Sequence, residues 1–329
     1  MDKTQLDTVE IFDLIRTDLR QVEEEFARQA ESEIELVAEI ARYLQAGGGK
    51  RLRPALHLLA AKFCGYEGAS AVKLGTVLEL IHTATLIHDD IIDDAATRRG
   101  QPSTNRRWGS AMSVLAGDWF YMQAFRIALA ERNFRILDIL IELTQTMVGG
   151  ELLQLSYLGQ LEISEQQALD LAYRKTACLF SVCTQLGAVL GGQRRDAEER
   201  LAAYGLNAGL AFQVIDDLLD FIASPEQLGK PVVSDLREGK ITLPLVYTLA
   251  ATGAEGRKKV ETVLREKGFR SLAPEEIVRL VQASGAVERT RNKAVELAAA
   301  AVAHLEIFPD STYKHALEAI PAFILNRDS

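Results

Sequence analysis

Apolar residues return every three or four positions through most of this chain, as Val37, Ile40, Ala41 and Leu44 do among polar neighbours. That spacing puts one apolar stripe along one side of an α-helix. No sustained run of alternating apolar and polar residues, bounded by turn residues, interrupts it. Stripes of this kind have to be buried against other helices, because no sheet is there to cover them. The spacing predicts helices over 4–31, 33–46, 52–64, 69–95, 109–131, 134–159, 164–192, 195–223, 241–251, 256–267, 274–283, 285–307 and 311–326. The eight prolines fall mostly at the breaks: Pro54, Pro102, Pro225, Pro231, Pro244, Pro274, Pro309 and Pro321. No connecting stretch is long, rich in Gly and Ser or low in complexity, and no short-period solenoid repeat recurs. The expected architecture is one all-α domain over residues 1–329.

Composition excludes several classes of function. With 329 residues, 48% of them hydrophobic and 25% charged, the chain can bury a sizeable core. A net charge of -9 supplies no basic footprint for nucleic acid, so no nucleic-acid partner is expected. Cys64, Cys178 and Cys183 lack zinc-site spacing, and the last two sit in an apolar helical run as small core residues. The opening MDKTQLDTVEIFDLIRTDLRQVEEEF is charged and amphipathic, unlike a signal peptide. No apolar run is read as approaching the roughly eighteen residues a membrane span needs, so no transmembrane segment is expected. A cytoplasmic protein is expected, with peripheral membrane contact left open.

Chemistry concentrates where charge invades the apolar pattern. LIHDDIIDDAATRRG (86–100) carries four aspartates in six residues and then reverses sign. QVIDDLLDFIASPEQLGKPVVSDLREGK (213–240) repeats the plan: D-D-x-x-D at the end of an apolar helix, then turns with Lys or Arg. Residues four apart share a helix face, so Asp89 pairs with Asp93 and Asp216 with Asp220. Asp90 and Asp217 stand about 100° round from the first aspartate. A single D-x-x-x-D is more often a solvated face. Here the neighbours are Leu86, Ile87, Ile91, Ile92, Leu218, Leu219 and Phe221, so the helices are buried. Both clusters also lie near helix C-termini, where the macrodipole disfavours each carboxylate by ~0.3–1 kcal/mol. A cation offsets that repulsion, and hard carboxylate oxygens suit Mg²⁺ or Mn²⁺.

Basic residues supply the other half. GGGKRLRP (47–54) clusters Lys50, Arg51 and Arg53 beside glycines, without the spacing of a P-loop. Taken singly, these residues and Arg98, Arg99, Lys175, Lys230 and Lys240 read as surface charge, and His82 as an ordinary helix histidine. Taken with the aspartates they describe one device, in which Mg²⁺ bridges carboxylates to a diphosphate and Arg and Lys bind the remaining oxygens.

The motifs run in the order G-K-R-L-R-P (49–54), E-L-I-H (79–82), D-D-x-x-D-x-x-x-x-R-R-G (89–100), G-E-x-x-Q (150–154) and K-T (175–176). G-x-A-F-Q-x-x-D-D-x-x-D (209–220), G-K (229–230) and G-K-x-T (239–242) follow. In that order, and over nearly the whole chain, it resembles the trans-type polyprenyl diphosphate synthases of the long-chain, octaprenyl kind. The resemblance implies a helical bundle of the isoprenoid synthase type with a central active-site cavity. It implies Mg²⁺-dependent head-to-tail condensation of isopentenyl diphosphate onto an allylic diphosphate, farnesyl or geranylgeranyl. About three Mg²⁺ ions per site are implied, with Mn²⁺ able to substitute. Asp89, Asp93 and Asp216 are the implied metal ligands, with Asp220 acting nearby or through water and Asp90 and Asp217 in support. Arg98, Lys175, Lys230 and Lys240 would hold the allylic diphosphate. Lys50, Arg53, His82 and Arg99 would hold isopentenyl diphosphate. Thr176 and Gln213 would lie beside the reacting carbons, with Lys175. A homodimer is the family expectation.

Product length is read from the helix before Asp89. Thr85, Ile81 and Leu78 share its face, with Ala84 at the edge. In the family, aromatic residues four or five positions before the first motif stop growth early. Thr85 and Ala84 are small, so a deep tunnel and a product of roughly C30 to C50 are expected. Trp119, Phe120, Tyr121 and Phe125 are the counterweight: as tunnel floor they would leave a geranylgeranyl or farnesyl product, as ordinary core they would not. A class I terpene cyclase and a subunit of a heteromeric synthase are the further alternatives. The second D-D-x-x-D and the set Lys50, Arg53 and His82 argue against the first, and two intact acidic motifs against the second.

Overall fold

The computed structural model describes residues 7–31, 33–49, 51–98, 100–223 and 232–326. Its helices are α1 (Thr8–Asp13), α2 (Arg16–Gln29), α3 (Glu35–Ala46), α4 (Leu52–Phe63), α5 (Ser70–Ile92), α6 (Thr104–Trp108), α7 (Ser110–Ala130), α8 (Phe134–Tyr157) and α9 (Glu165–Ala172). A π-helical turn (Tyr173–Ala177) leads into α10 (Cys178–Leu190) and α11 (Arg195–Ile222). Then come α12 (Ser234–Arg237), α13 (Leu243–Ala251), α14 (Ala254–Glu266), α15 (Pro274–Ala283), α16 (Ala286–Ala303) and α17 (Thr312–Leu325). The described residues hold one small antiparallel ribbon, β1 (Thr97–Arg98) against β2 (Gln101–Pro102), with Arg98 opposite Gln101. The all-α class is as expected.

The chain's contacts gather into two compact units. The first comprises Met1–Glu142, Val182–Ala202 and Phe308–Leu317. Its central helix is α5, in which Leu74, Leu78, Ile81 and Ala84 are fully buried. On α7, Ala116, Phe120, Ala124 and Ala128 recur every four residues and are buried, so the helix turns one stripe inward. Phe120 is fully buried and stacks on Phe26 of α2 with ring centroids 6.1 Å apart. By length and composition α5 does meet the requirement for a membrane span, contrary to the sequence expectation. Its most apolar window is 67% buried inside the protein, however, and the core explains that apolarity.

Two predicted helices of the first unit change. The helix expected over 4–31 breaks at Leu14–Ile15, where Ile15 leaves helical geometry (φ -128°, ψ 10°) and is buried. The helix expected to reach residue 95 ends at Ile92, because Asp94 adopts a left-handed conformation (φ 49°) and the chain turns into the β1–β2 ribbon. That ribbon and α6 were hidden from a periodicity reading by their shortness.

The second unit comprises Leu143–Ser181, Ala203–Ile307 and Glu318–Ser329. Its core joins Val214, Leu219 and Phe221 of α11 to Leu243, Tyr247, Val260, Ile277 and Val281. A capping box starts α9: Ser164 accepts from the Gln167 amide while the Gln167 side chain accepts from the Ser164 N–H. The helix expected over 164–192 is interrupted by the π turn at Tyr173–Ala177. Such turns insert one extra residue, a change that leaves apolar spacing almost untouched and so is invisible in it.

One buried group ties stability to pH. His57 of α4 is wholly buried, and its Nδ1 donates to the Cys183 carbonyl at 3.0 Å. Burial lowers its pKa from 6.5 to about 4. The unfolded chain therefore binds this proton first, and stability present above pH 6.5 is lost as pH falls toward 4. Between pH 7 and 5 the loss from this one group is expected to be about 2 kcal/mol. Urea denaturation at the two pH values should show that loss in the wild type and a smaller one in His57→Gln. Equal losses would remove His57 as its source.

Candidate active site

In the first unit a cavity of about 50 Å³ opens beside α5. Glu79, His82, Thr83, Leu86 and Asp90 line it, spaced three and four apart as one helix face requires. Arg51 and Arg98 complete its charged lining. Asp90 is almost wholly buried, and Arg98 donates to its Oδ1 through Nε at 2.7 Å and through a terminal nitrogen at 2.6 Å. Burial raises the Asp90 pKa, and Arg98 opposes the rise. Asn105 also donates to the Asp90 carbonyl, so the β1–β2 ribbon and α6 are tied back to the helix end. Asp89 and Asp93 are half-buried, and Asp93 is the C-cap of α5. Asp94 is exposed and pairs with Arg106 at 2.9 Å. Arg53 donates to His82 Nε2 at 3.0 Å, which fixes the imidazole proton on Nδ1 whenever the ring is neutral. Ala84 and Ile81 are fully buried, while Thr85 is half-buried and donates back to the His82 carbonyl at 2.7 Å.

In the second unit a cavity of about 150 Å³ is lined by Lys175, Thr176, Gln213, Asp217, Asp235 and Lys240, with Gln154, Tyr157 and Leu158. The π turn carries Lys175 and Thr176. Lys175 Nζ is held by Glu151 at 2.9 Å and donates to Gln154 at 2.8 Å. Thr176 donates to Gln213 Oε1 at 2.6 Å, and Gln213 Nε2 donates to Asp217 Oδ1 at 2.7 Å. One chain of hydrogen bonds therefore orients three lining side chains. Two glycines permit it. A Cβ on Gly150 would meet Arg174 Cβ at 2.6 Å, and one on Gly209 would meet Ala177 Cα at 2.7 Å. Any side chain there would push the π turn away from α8 or α11.

The second acidic motif is divided by its surroundings. Asp216 is exposed, Asp217 faces the cavity, and Asp220 is fully buried. Asp220 accepts from the Ser234 amide (3.2 Å), the Ser234 hydroxyl (2.8 Å) and the Asp235 amide (3.1 Å). Its carboxylate thus anchors the start of α12 and sets Asp235 in the cavity wall. Asp216 and Asp220 stand four apart on one face of the unbroken α11, but Ser234 and Asp235 cover the Asp220 carboxylate while Asp216 stays exposed. Burial and the negative neighbours, Asp235 foremost, hold the Asp217 carboxyl well above the ordinary carboxylate range, and the Gln213 hydrogen bond opposes this. Lys240 lines the same cavity and pairs with Glu238 at 2.8 Å. Lys50, Arg99 and Lys230 lie outside the described residues.

Helical spacing alone assigns no role to Glu151 and Gln154 of G-E-x-x-Q, and it does not reveal Asp235 or the cavity position of Asp217. The spacing D-x-x-x-x-K from Asp235 to Lys240 was the available signal for Asp235.

Among the described residues no three His, Cys, Asp or Glu side chains are gathered closely enough to cage a metal ion. The donor chemistry nonetheless fits Mg²⁺, which takes one or two carboxylates and completes its octahedron with water and phosphate oxygens. The pair Asp89 and Asp93 is of that kind. The crowding of Asp216, Asp217 and Asp235, with Lys240 already shared with Glu238, leaves negative charge that a cation would relieve.

Comparison with known proteins places the arrangement among relatives. The model of the family described as Polyprenyl synthetase matches residues 34–281. Octaprenyl diphosphate synthase of Escherichia coli (strain K12) is 37% identical over 318 residues, covering 97% of this chain and 98% of that protein. A polyprenyl synthase from Caulobacter crescentus CB15, solved in complex with calcium and isoprenyl diphosphate, superposes with a TM-score of 0.94 at 34% identity, over 99% of both chains. A decaprenyl diphosphate synthase from Rhodobacter capsulatus superposes with a TM-score of 0.91 at 32% identity, over 97% of this chain and 98% of that one.

Proposed function

This chain belongs to the polyprenyl synthetase family, and on that footing we propose that it is a trans-polyprenyl diphosphate synthase, a prenyltransferase that condenses isopentenyl diphosphate head-to-tail onto an allylic diphosphate. The observation that carries the reading is the cavity where Lys175, Thr176, Gln213, Asp217 and Lys240 converge. We read the two units as parts of one prenyltransferase domain over 1–329.

Ionising an allylic C–O bond leaves a diphosphate of high charge, and the chain's cations stabilise that charge as it develops. Lys175, aimed by Glu151 and Gln154, and Lys240 hold the allylic diphosphate, with Arg98 and Lys230. Arg53 and His82 hold isopentenyl diphosphate, with Lys50 and Arg99. Thr176 and Gln213 turn their dipoles toward the allylic cation, and the departing diphosphate accepts the proton released after the new C–C bond forms. Tyr157 and Leu158 keep one wall of the cavity apolar, which limits capture of the cation by water. Asp89 and Asp93 of the first unit and Asp216 of the second would hold Mg²⁺, with Asp217 and Asp235 in the second unit's cavity wall and Asp220 anchoring Asp235 there. Mg²⁺, about three ions with Mn²⁺ as a substitute, would neutralise the diphosphate as a Lewis acid.

The long-chain product is supported by the small side chains of Ala84 and Thr85 and by the octaprenyl and decaprenyl relatives. A shorter product is the second reading, because a 32%-identical relative from Methanothermobacter thermautotrophicus is named a short chain isoprenyl diphosphate synthase. A homodimer is supported by α7, whose Leu115, Met122 and Leu129 stand seven apart and are all exposed, a stripe that a second copy would cover. We place the reaction in the cytoplasm, with contact at a membrane surface for release of a long apolar product.

Incubating the purified protein with labelled isopentenyl diphosphate, farnesyl diphosphate and Mg²⁺ tests the reading. Chain-extended diphosphates of roughly C30 to C50 are expected on chromatography. A cyclic hydrocarbon or no incorporation would overturn it, and extension stopping at geranylgeranyl length would support the second reading.

A further inference from the structure

Arg51 is the strained residue of the first unit's cavity. It is the N-cap of α4 and adopts a left-handed conformation (φ 46°, ψ 32°), uncommon for a residue with a side chain. It stands two residues before Arg53 and directly after Lys50. Its guanidinium is not open to a ligand on all sides. One terminal nitrogen donates to Glu79 at 2.6 Å, and Nε donates to Glu23 of α2 at 3.3 Å. An arginine between two carboxylates adds no net positive charge with which to attract a diphosphate.

Glu79 raises the converse question. It is 6% exposed, on a cavity that also receives His82 and Arg98. A buried carboxylate facing an anion site would repel the anion unless its charge is already taken up. Arg51 takes it up. One turn further along α5, His82 accepts from Arg53. Residues 79 and 82 of one helix thus grip residues 51 and 53 of the chain entering another, in matching order.

From this geometry we propose that Glu79 is a positioning residue for isopentenyl diphosphate. It acts through Arg51, holding the left-handed turn so that Arg53 and His82 stay aimed at the diphosphate, and touches no substrate itself. The inference rests on the proposed synthase activity. It assigns Arg51 and Glu79 a task distinct from that of the diphosphate-binding cations.

Steady-state kinetics on the full-length protein tests it, varying each substrate in turn. Glu79→Gln keeps the shape and removes the charge, and is expected to raise the KM for isopentenyl diphosphate about tenfold while the KM for the allylic substrate stays within about twofold. Arg51→Gly relieves the backbone strain but deletes the strut, and should give the same selective rise, so it decides the matter if Glu79→Gln does not fold. Combining the two should add little to either, because both break one link. Unchanged KM values, or equal rises for both substrates, would overturn the proposal. Absence of condensation by the wild type would instead count against the synthase reading itself.

Discussion

Asp89→Ala is expected to lower Mg²⁺-dependent condensation by at least about 10³-fold, some 4 kcal/mol of transition-state stabilisation. The carboxylate is half-buried in the last turn of α5, where the helix dipole already opposes it. A group kept at that cost is there for a cation. The substitution removes one hard oxygen donor and should leave the fold nearly untouched, since the buried neighbour Asp90, not Asp89, holds Arg98 and the ribbon. Asp216→Ala should behave alike, because Asp216 is exposed at the end of α11. The check is turnover over a range of Mg²⁺ concentrations, with thermal denaturation to show that the variants are folded. Near-normal turnover in either variant would remove that aspartate from the proposed metal set.

Ala84→Phe is expected to shorten the product by several isoprene units while turnover persists. Ala84 is fully buried on α5, five residues before Asp89, with Ile81 equally buried behind it. A phenyl ring must occupy space that either neighbouring side chains or a growing chain would use. Overpacking of this size costs about 1–3 kcal/mol, which should appear as a lower melting temperature. Product chromatography separates the two possibilities. A shifted length places the elongating chain beside Ala84. A destabilised variant with an unchanged product distribution makes Ala84 simple core.

Much of the fold was legible because helical burial is a local, periodic demand. The stripe on α7 and the caps around α9 can be read in any window of the chain. The acidic motifs were legible for the same reason, since D-D-x-x-D is contiguous and its apolar flanks imply burial. The roles within those motifs were less so. Asp220 resembles Asp93 in sequence, yet it is a fully buried anchor for α12, while Asp93 caps its own helix. That difference depends on what covers the last turn of α11, and residues 233–235 do so from beyond a segment with no periodic signal.

The sequence alone determined the helical class, the positions of the long helices and the chemical character of the site: two carboxylate clusters at helix ends, with cations following each. Local spacing is enough for that, because a residue's place on a helix face depends only on its neighbours in the chain. Only the tertiary structure decided which charge answers which. The pairing of Arg51 with Glu79, of Arg98 with Asp90, and of Lys175 with Glu151 and Gln154 joins residues from eight to 28 positions apart. Buried charges take whatever partner the packing brings within reach, and the packing depends on the whole chain.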